Sequence, residues 1–170
     1  MEVLTVAMDA QGFDKPIHYI KPAKASFMTL VDEKNLLGQL YGFKVVPVCF
    51  LIDSKGVVSY KNIGNFDIRQ PEMREHLDRW SSNETSLETL PDHDIPYGHS
   101  SEANILFQKG LSMHQSGKTN EAITLWKKSL ELDPDNYIIQ KQIWAVQNPE
   151  KFYTGNVDYA WQKAQRNTNL

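Results

Sequence analysis

Two β-rich runs, Val48-Cys49-Phe50-Leu51-Ile52 and Val57-Val58-Ser59-Tyr60, flank the tetrapeptide Asp53-Ser54-Lys55-Gly56. This pattern constrains the fold most, because so short a connection joins only antiparallel strands. Gly56 supplies the left-handed residue of a bulged turn. Earlier in the chain, Val3-Leu4-Thr5-Val6-Ala7-Met8 is a mostly apolar run, the pattern of a parallel strand buried on both faces. A hairpin downstream of that strand and of helical segments implies a mixed sheet. Residues 14–21 read as a short helix, capped by Asp14 and ended by Pro22. Residues 27–31 read as a short edge strand or a loop. Asp32 caps a better helix, whose Leu36, Leu37, Leu40 and Tyr41 share one face and which Gly42 closes. Residues 69–80 form a further helix, with Met73, Leu77 and Trp80 spaced for one buried stripe.

Composition changes near residue 81. Residues 81–101 are rich in Ser, Asn, Asp, Pro, Gly and His, and Pro91 and Pro96 break regular structure there. That segment reads as a linker or an extended wrap. The expected units are 1–80, mixed strand and helix, and 102–166, entirely helical.

Bulk composition excludes several classes. A net charge of −3 argues against a nucleic-acid footprint, which needs a basic patch. No apolar run approaches the ~18 residues of a membrane span, and no basic region followed by an apolar stretch opens the chain. Cytoplasmic is therefore the default compartment. With Cys49 the sole cysteine, no intrachain disulfide, C-x-x-C pair or zinc knuckle can form. No phosphate-binding loop, G-x-S-x-G elbow or H-E-x-x-H occurs either. No cofactor and no metal are expected. Asp92, His93, Asp94 and His99 cluster in the polar bridge but read as a solvated turn rather than a metal site. His18, His76 and His114 stand singly on expected helices, at or near the surface.

The run Tyr41-Gly42-Phe43-Lys44-Val45-Val46-Pro47, then Phe50 to Val58 with its D-x-x-G turn, then Tyr60 and Gly64, resembles the second half of a thioredoxin-like redoxin. The alkyl hydroperoxide reductase/thiol-specific antioxidant (AhpC/TSA) superfamily and its TlpA-like relatives are the nearest pattern, over residues 3–80. The resemblance implies a thioredoxin-like sheet and thiol–disulfide exchange or peroxide reduction. It also implies a cis peptide bond before Pro47, leaving the backbone of Val46 free to dock an extended substrate.

The family's catalytic cysteine lies on a strand–helix unit preceding the segment that resembles residues 3–8, so no catalytic residue is carried over. Cys49 sits two residues past Pro47 in an apolar strand and reads as a buried, unreactive, structural thiol. The family's first strand would lie between the segments at 3–8 and 48–52, and losing an interior strand strands backbone donors and acceptors. Three arrangements are open: a longer polypeptide supplying an N-terminal segment, a different pairing of the remaining strands, or a strand taken from a partner. The first is preferred. This chain is expected to be inactive alone; a non-catalytic interaction module is the alternative.

In the second half, Ala103, Leu106, Gly110, Met113, Gly117, Ala122, Trp126, Ser129 and Pro134 follow the spacing of one tetratricopeptide (TPR) repeat over residues 103–136. Gly110 and Ala122 are small where two helices would approach, Gly117 turns the chain, Trp126 fills the gap and Pro134 ends the second helix. Residues 137–147 form a third helix burying Ile138, Ile139, Ile143 and Trp144. Asn148 caps a short fourth, with Pro149 in its first turn, and residues 166–170 read as frayed. Phe152, Tyr153, Tyr159 and Trp161 make this end aromatic, suited to docking on the repeat or on the first unit. One repeat is too few for the usual peptide groove. Expected partners are a protein, the N-terminal segment or a second copy, with no nucleic acid and no membrane.

Overall fold

A computed structural model describes residues 1–82 and 101–168. In chain order the elements are β1 (Leu4–Ala7), α1 (Ile17–Ala23), β2 (Met28–Val31), α2 (Leu36–Tyr41), β3 (Val48–Ile52), β4 (Val58–Ile63), α3 (Pro71–Ser81), α4 (Glu102–Gln115), α5 (Thr119–Leu132), α6 (Tyr137–Gln147), α7 (Glu150–Tyr153) and α8 (Tyr159–Thr168). The class is mixed α/β.

The strands do not form the single mixed sheet that was expected. Parallel β1–β2 and antiparallel β3–β4 are separate two-stranded sheets. The reason is local: among the described residues no strand pairs with both β1 and β3, so nothing joins the parallel ladder to the antiparallel one. Packing also divides the chain otherwise than at residue 81. One unit comprises Met1 and residues 37–99, the other residues 2–36 and 100–170. The first strand pair thus groups with the helices, for reasons given below.

In the helical unit, α4 and α5 form an antiparallel pair. Ser129 Oγ donates to the Ala103 carbonyl at 2.6 Å and Trp126 Nε1 to the Phe107 carbonyl at 3.1 Å. A Cβ on Gly110 would fall 3.1 Å from the Ala122 carbonyl and 2.5 Å from Trp126 Nε1. Glycine is therefore required where the indole crosses α4. Gly117 turns the chain with φ +78°, and Pro134 is exposed just past α5. The buried cluster joins Phe107, Leu111, Ala122, Trp126, Ile139 and Ile143 to Ala10, which follows β1.

Helix α6 buries Ile138, Ile139, Ile143 and Trp144 as expected, and Gln142 besides. The α7 start differs from expectation. Pro149, not Asn148, occupies the cap position, and Asn148 Nδ2 donates back to the Trp144 carbonyl at 3.3 Å. The Asn148 backbone N–H donates to the same carbonyl at 2.7 Å, so Asn148 caps the end of α6 rather than the start of α7. Of residues 166–170, expected to fray, 166–168 complete α8, where Trp161 meets Trp144 edge-on and Arg166 donates to the Tyr137 hydroxyl; 169–170 lie outside the described residues.

Two further expectations are adjusted. Helix α1 starts at Ile17 after Pro16, without an Asp14 cap, and Pro22 lies inside its last turn. In so short a helix Pro22 removes only the bond to His18. The face of α2 is poorly covered, with Leu36 and Leu40 exposed, although Asp32 Oδ1 does accept the Leu36 N–H at 3.0 Å.

Candidate functional site

The Val46–Pro47 segment is reached from α2 through Gly42 and Phe43. Phe43 is buried, and its N–H donates to the Gly38 carbonyl at 3.1 Å. Phe43 and Tyr41 pack their rings against Phe50 of β3, at 5.9 and 4.8 Å between centroids. This aromatic contact holds the loop against the strand. The Val46–Pro47 peptide is cis, the geometry that the resemblance implies. Val46 is half-buried and Pro47 exposed. Pro47 offers its carbonyl to the Gly64 N–H at 2.9 Å, which closes the open end of the hairpin. The β3–β4 ladder begins with Val48 opposite Ile63, so the Val46 peptide lies just outside it.

The other end of the hairpin matches the D-x-x-G reading. Asp53 Oδ1 accepts the Lys55 and Val57 N–H groups, both at 2.9 Å, and Gly56 has φ +82°. The irregularity in register falls between Leu51 and Ile52. Helix α3 covers β4 through a stack of His76 on Tyr60 and a 2.7 Å bond from Trp80 Nε1 to Ser59 Oγ.

Cys49 stands opposite Asn62 in the ladder. It is half-buried rather than fully enclosed, because the small hairpin unit buries only Phe43 and Leu51 completely among its described apolar side chains. Burial still pushes the thiol pKa up, away from the thiolate that nucleophilic chemistry needs.

A polar cluster that sequence reasoning missed lies in the helical unit, on the loop after β1. Tyr153 of α7 donates its hydroxyl to both carboxylate oxygens of Asp9, at 3.0 and 3.1 Å. Gln11 contributes twice: its N–H donates to Asp9 Oδ1 and its Nε2 to the Tyr153 hydroxyl, each at 2.9 Å. Gln142 of α6 accepts the Ala10 N–H at 2.9 Å and donates to the Met8 carbonyl at 3.3 Å. Tyr19 of α1 donates to the Phe152 carbonyl. One signal was available: Gln142 interrupts the apolar stripe of Ile138, Ile139 and Ile143, and a buried amide needs partners.

Asp92, His93, Asp94 and His99 lie outside the described residues. Among the described ones, no group of three or more His, Cys, Asp or Glu side chains could hold a metal ion. No helix among them is long and apolar enough to cross a membrane. The TPR-pattern residues Gly110, Ala122 and Trp126 are brought together in the α4–α5 contact, whereas Gly117 and Pro134 lie at turns and touch no site. A surface cleft of about 510 Å³ lies between α5, α6 and α8, lined in part by Lys127, Gln140, Trp144 and Trp161. No protein-family model, curated protein or solved structure matches the chain.

Proposed function

We propose that this chain is a thioredoxin-like redoxin of the AhpC/TSA type, carrying the substrate rest of that family but, within residues 1–170, no sulfur nucleophile. Val46 and Pro47 dock an extended thiol or disulfide substrate; Cys49 is structural; the helices 102–168 are a TPR-like appendage. The observation that carries this reading is the position of the Val46 peptide, just outside the β3–β4 ladder and beside an exposed Pro47. That position supports pairing of its N–H and C=O with an incoming strand. The raised thiol pKa of Cys49 supports the inactive half of the reading.

A second reading, a non-catalytic interaction module, is favoured by one observation. Leu4, Met28 and Leu30 are exposed on one face of β1–β2, in register as Leu4 opposite Met28 and Val6 opposite Leu30. Thr5 and Thr29 bond to each other on the opposite face, at 2.8 Å. Parallel strands with a bare apolar face are unusual.

The two readings separate in one titration. Adding an extended cysteine-containing peptide to the ¹⁵N-labelled chain should shift the amides of Val45, Val46 and Val48. Shifts confined to Leu4, Met28 and Leu30 would transfer the function to the second reading. In parallel, dithiothreitol-driven peroxide and insulin reduction should stay at background for both the native chain and Cys49→Ser. Turnover that Cys49→Ser abolishes would overturn the structural assignment of the thiol.

A further inference from the structure

Two cations share one face of the helical unit with no acid paired to either. Helix α8 runs antiparallel to α6, since Arg166 reaches Tyr137 near one end and Trp161 meets Trp144 near the other. The Arg166 guanidinium stacks on the Tyr137 ring, 4.3 Å from its centroid, and donates to the phenol oxygen at 3.2 Å. That bond uses one of the five N–H donors of the fork. Lys141 follows Tyr137 by one turn on the same face of α6 and is half-buried. Burial and the Arg166 charge both hold its pKa below the ordinary lysine value. Asp133 and Asp135 stand in the turn before α6. Yet among the described residues no carboxylate pairs with Lys141 or Arg166. Gln162 lies one turn before Arg166, between the two contacts that seat α8. It is 6% exposed, and its carboxamide makes no hydrogen bond among the described residues. Like charges partly withdrawn from water cost stability, and so does a buried amide without partners.

We propose that this face of α6 and α8 binds a phosphate dianion, free or carried as a monoester, with Lys141 and Arg166 as its cations and the Gln162 carboxamide as a further donor. Charge decides the ligand class. Two unpaired cations match two negative charges, whereas a single carboxylate would leave one of them uncompensated. Geometry agrees, because the arginine fork suits two oxygens of one phosphate and the lysine ammonium supplies a point charge for a third. The Tyr137 ring already fixes the guanidinium plane, so binding orders little that is not ordered beforehand. A ligand held only by the folded chain also stabilises it. The site belongs to the helical unit alone and is independent of the Val46–Pro47 reading.

Titrating the ¹⁵N-labelled full chain with inorganic phosphate tests this, against sodium chloride of equal ionic strength. Phosphate should give saturable shifts centred on the Lys141 and Gln162 amides and on Arg166 Nε, which chloride does not reproduce. Losing one charge-assisted contact should weaken binding about tenfold, an effect expected alike for acetate, for Arg166→Gln and for Lys141→Gln. Lys163→Gln, at an exposed position of the same helix, should match the native chain. Lys141→Gln carries the test if Arg166→Gln unseats α8, since Lys141 makes no bond among the described residues that holds that helix. A phosphoserine peptide that binds more tightly than inorganic phosphate would assign the dianion to a phosphorylated protein; equal or weaker binding would assign it to the free ion. Chloride shifts equal to those of phosphate, or phosphate shifts that persist in both variants, would overturn the site and leave an adventitious ion only. Acetate binding as tight as that of phosphate would overturn the assignment to a dianion.

Discussion

The helical unit and the hairpin unit solve the same problem with unequal success. In the helical unit Phe107, Leu111, Ala122, Trp126 and Ile139 are at most 2% exposed, because two antiparallel helices can bring a stripe of side chains and a small-residue crossing face to face. The hairpin unit leaves Ile52, Val57, Ile63 and Ile68 exposed and fully buries only Phe43 and Leu51 among its described apolar side chains. A two-stranded sheet is marginal without further cover. Helical repeats carry their own core, whereas a lone hairpin with one helix borrows stability from whatever covers it. The same contrast divides the strands. β1–β2 has a tether into the helical core through Ala10 and Gln142, and β3–β4 is held by α3.

That contrast should appear directly in mutational costs. Trp126→Ala removes a fully buried indole and its bond to the Phe107 carbonyl, and should cost about 3–5 kcal/mol. Far-UV circular dichroism in urea should show the loss as an earlier helical transition. Leu51→Ala, in the thinner core, should cost about 2 kcal/mol, the lower end for a buried leucine, because its surroundings can collapse. If Leu51→Ala proved as costly as Trp126→Ala, the hairpin unit would have a better core than its exposure indicates.

Legibility in the sequence followed the range of the interaction. The α4–α5 pair, α6 and the D-x-x-G hairpin were readable because period and turn chemistry act over a few residues, as with Gly110 against Trp126 or Asp53 with Val57. Sheet association was not readable. Periodicity shows that residues 3–8 and 48–52 suit strands, but which strands pair is set by partners distant in the chain. The Asp9–Tyr153 and Ala10–Gln142 bonds span 144 and 132 residues, beyond any local signal. They explain why the first strands group with the helices despite the composition break near residue 81. At the proposed substrate rest, the residues around Val46 and Pro47 were legible as a motif. The half-burial of Cys49 was not, since it depends on how much the small unit can enclose.

The smallest effect belongs to the hairpin unit's ion pair. Arg69 Nη2 lies 2.6 Å from Asp67 Oδ2, and Arg69 Nε also donates to the carboxylate. These bonds, joined by the Arg69 N–H, hold the Asp67 pKa down at about 2. A carboxyl lowered in the folded state contributes stability above its free pKa and loses it as pH falls through about 2. Yet the partners are two residues apart and Arg69 is exposed, so most of the pair survives in the unfolded chain and salt screens the rest. Arg69→Gln should therefore leave the urea midpoint at pH 7 unchanged within error. The Asp67 carboxyl carbon, followed by NMR, should meanwhile titrate closer to pH 4. A lowered midpoint would mean that this turn joins the cooperative core of the hairpin unit, and the gap between the two units would narrow accordingly.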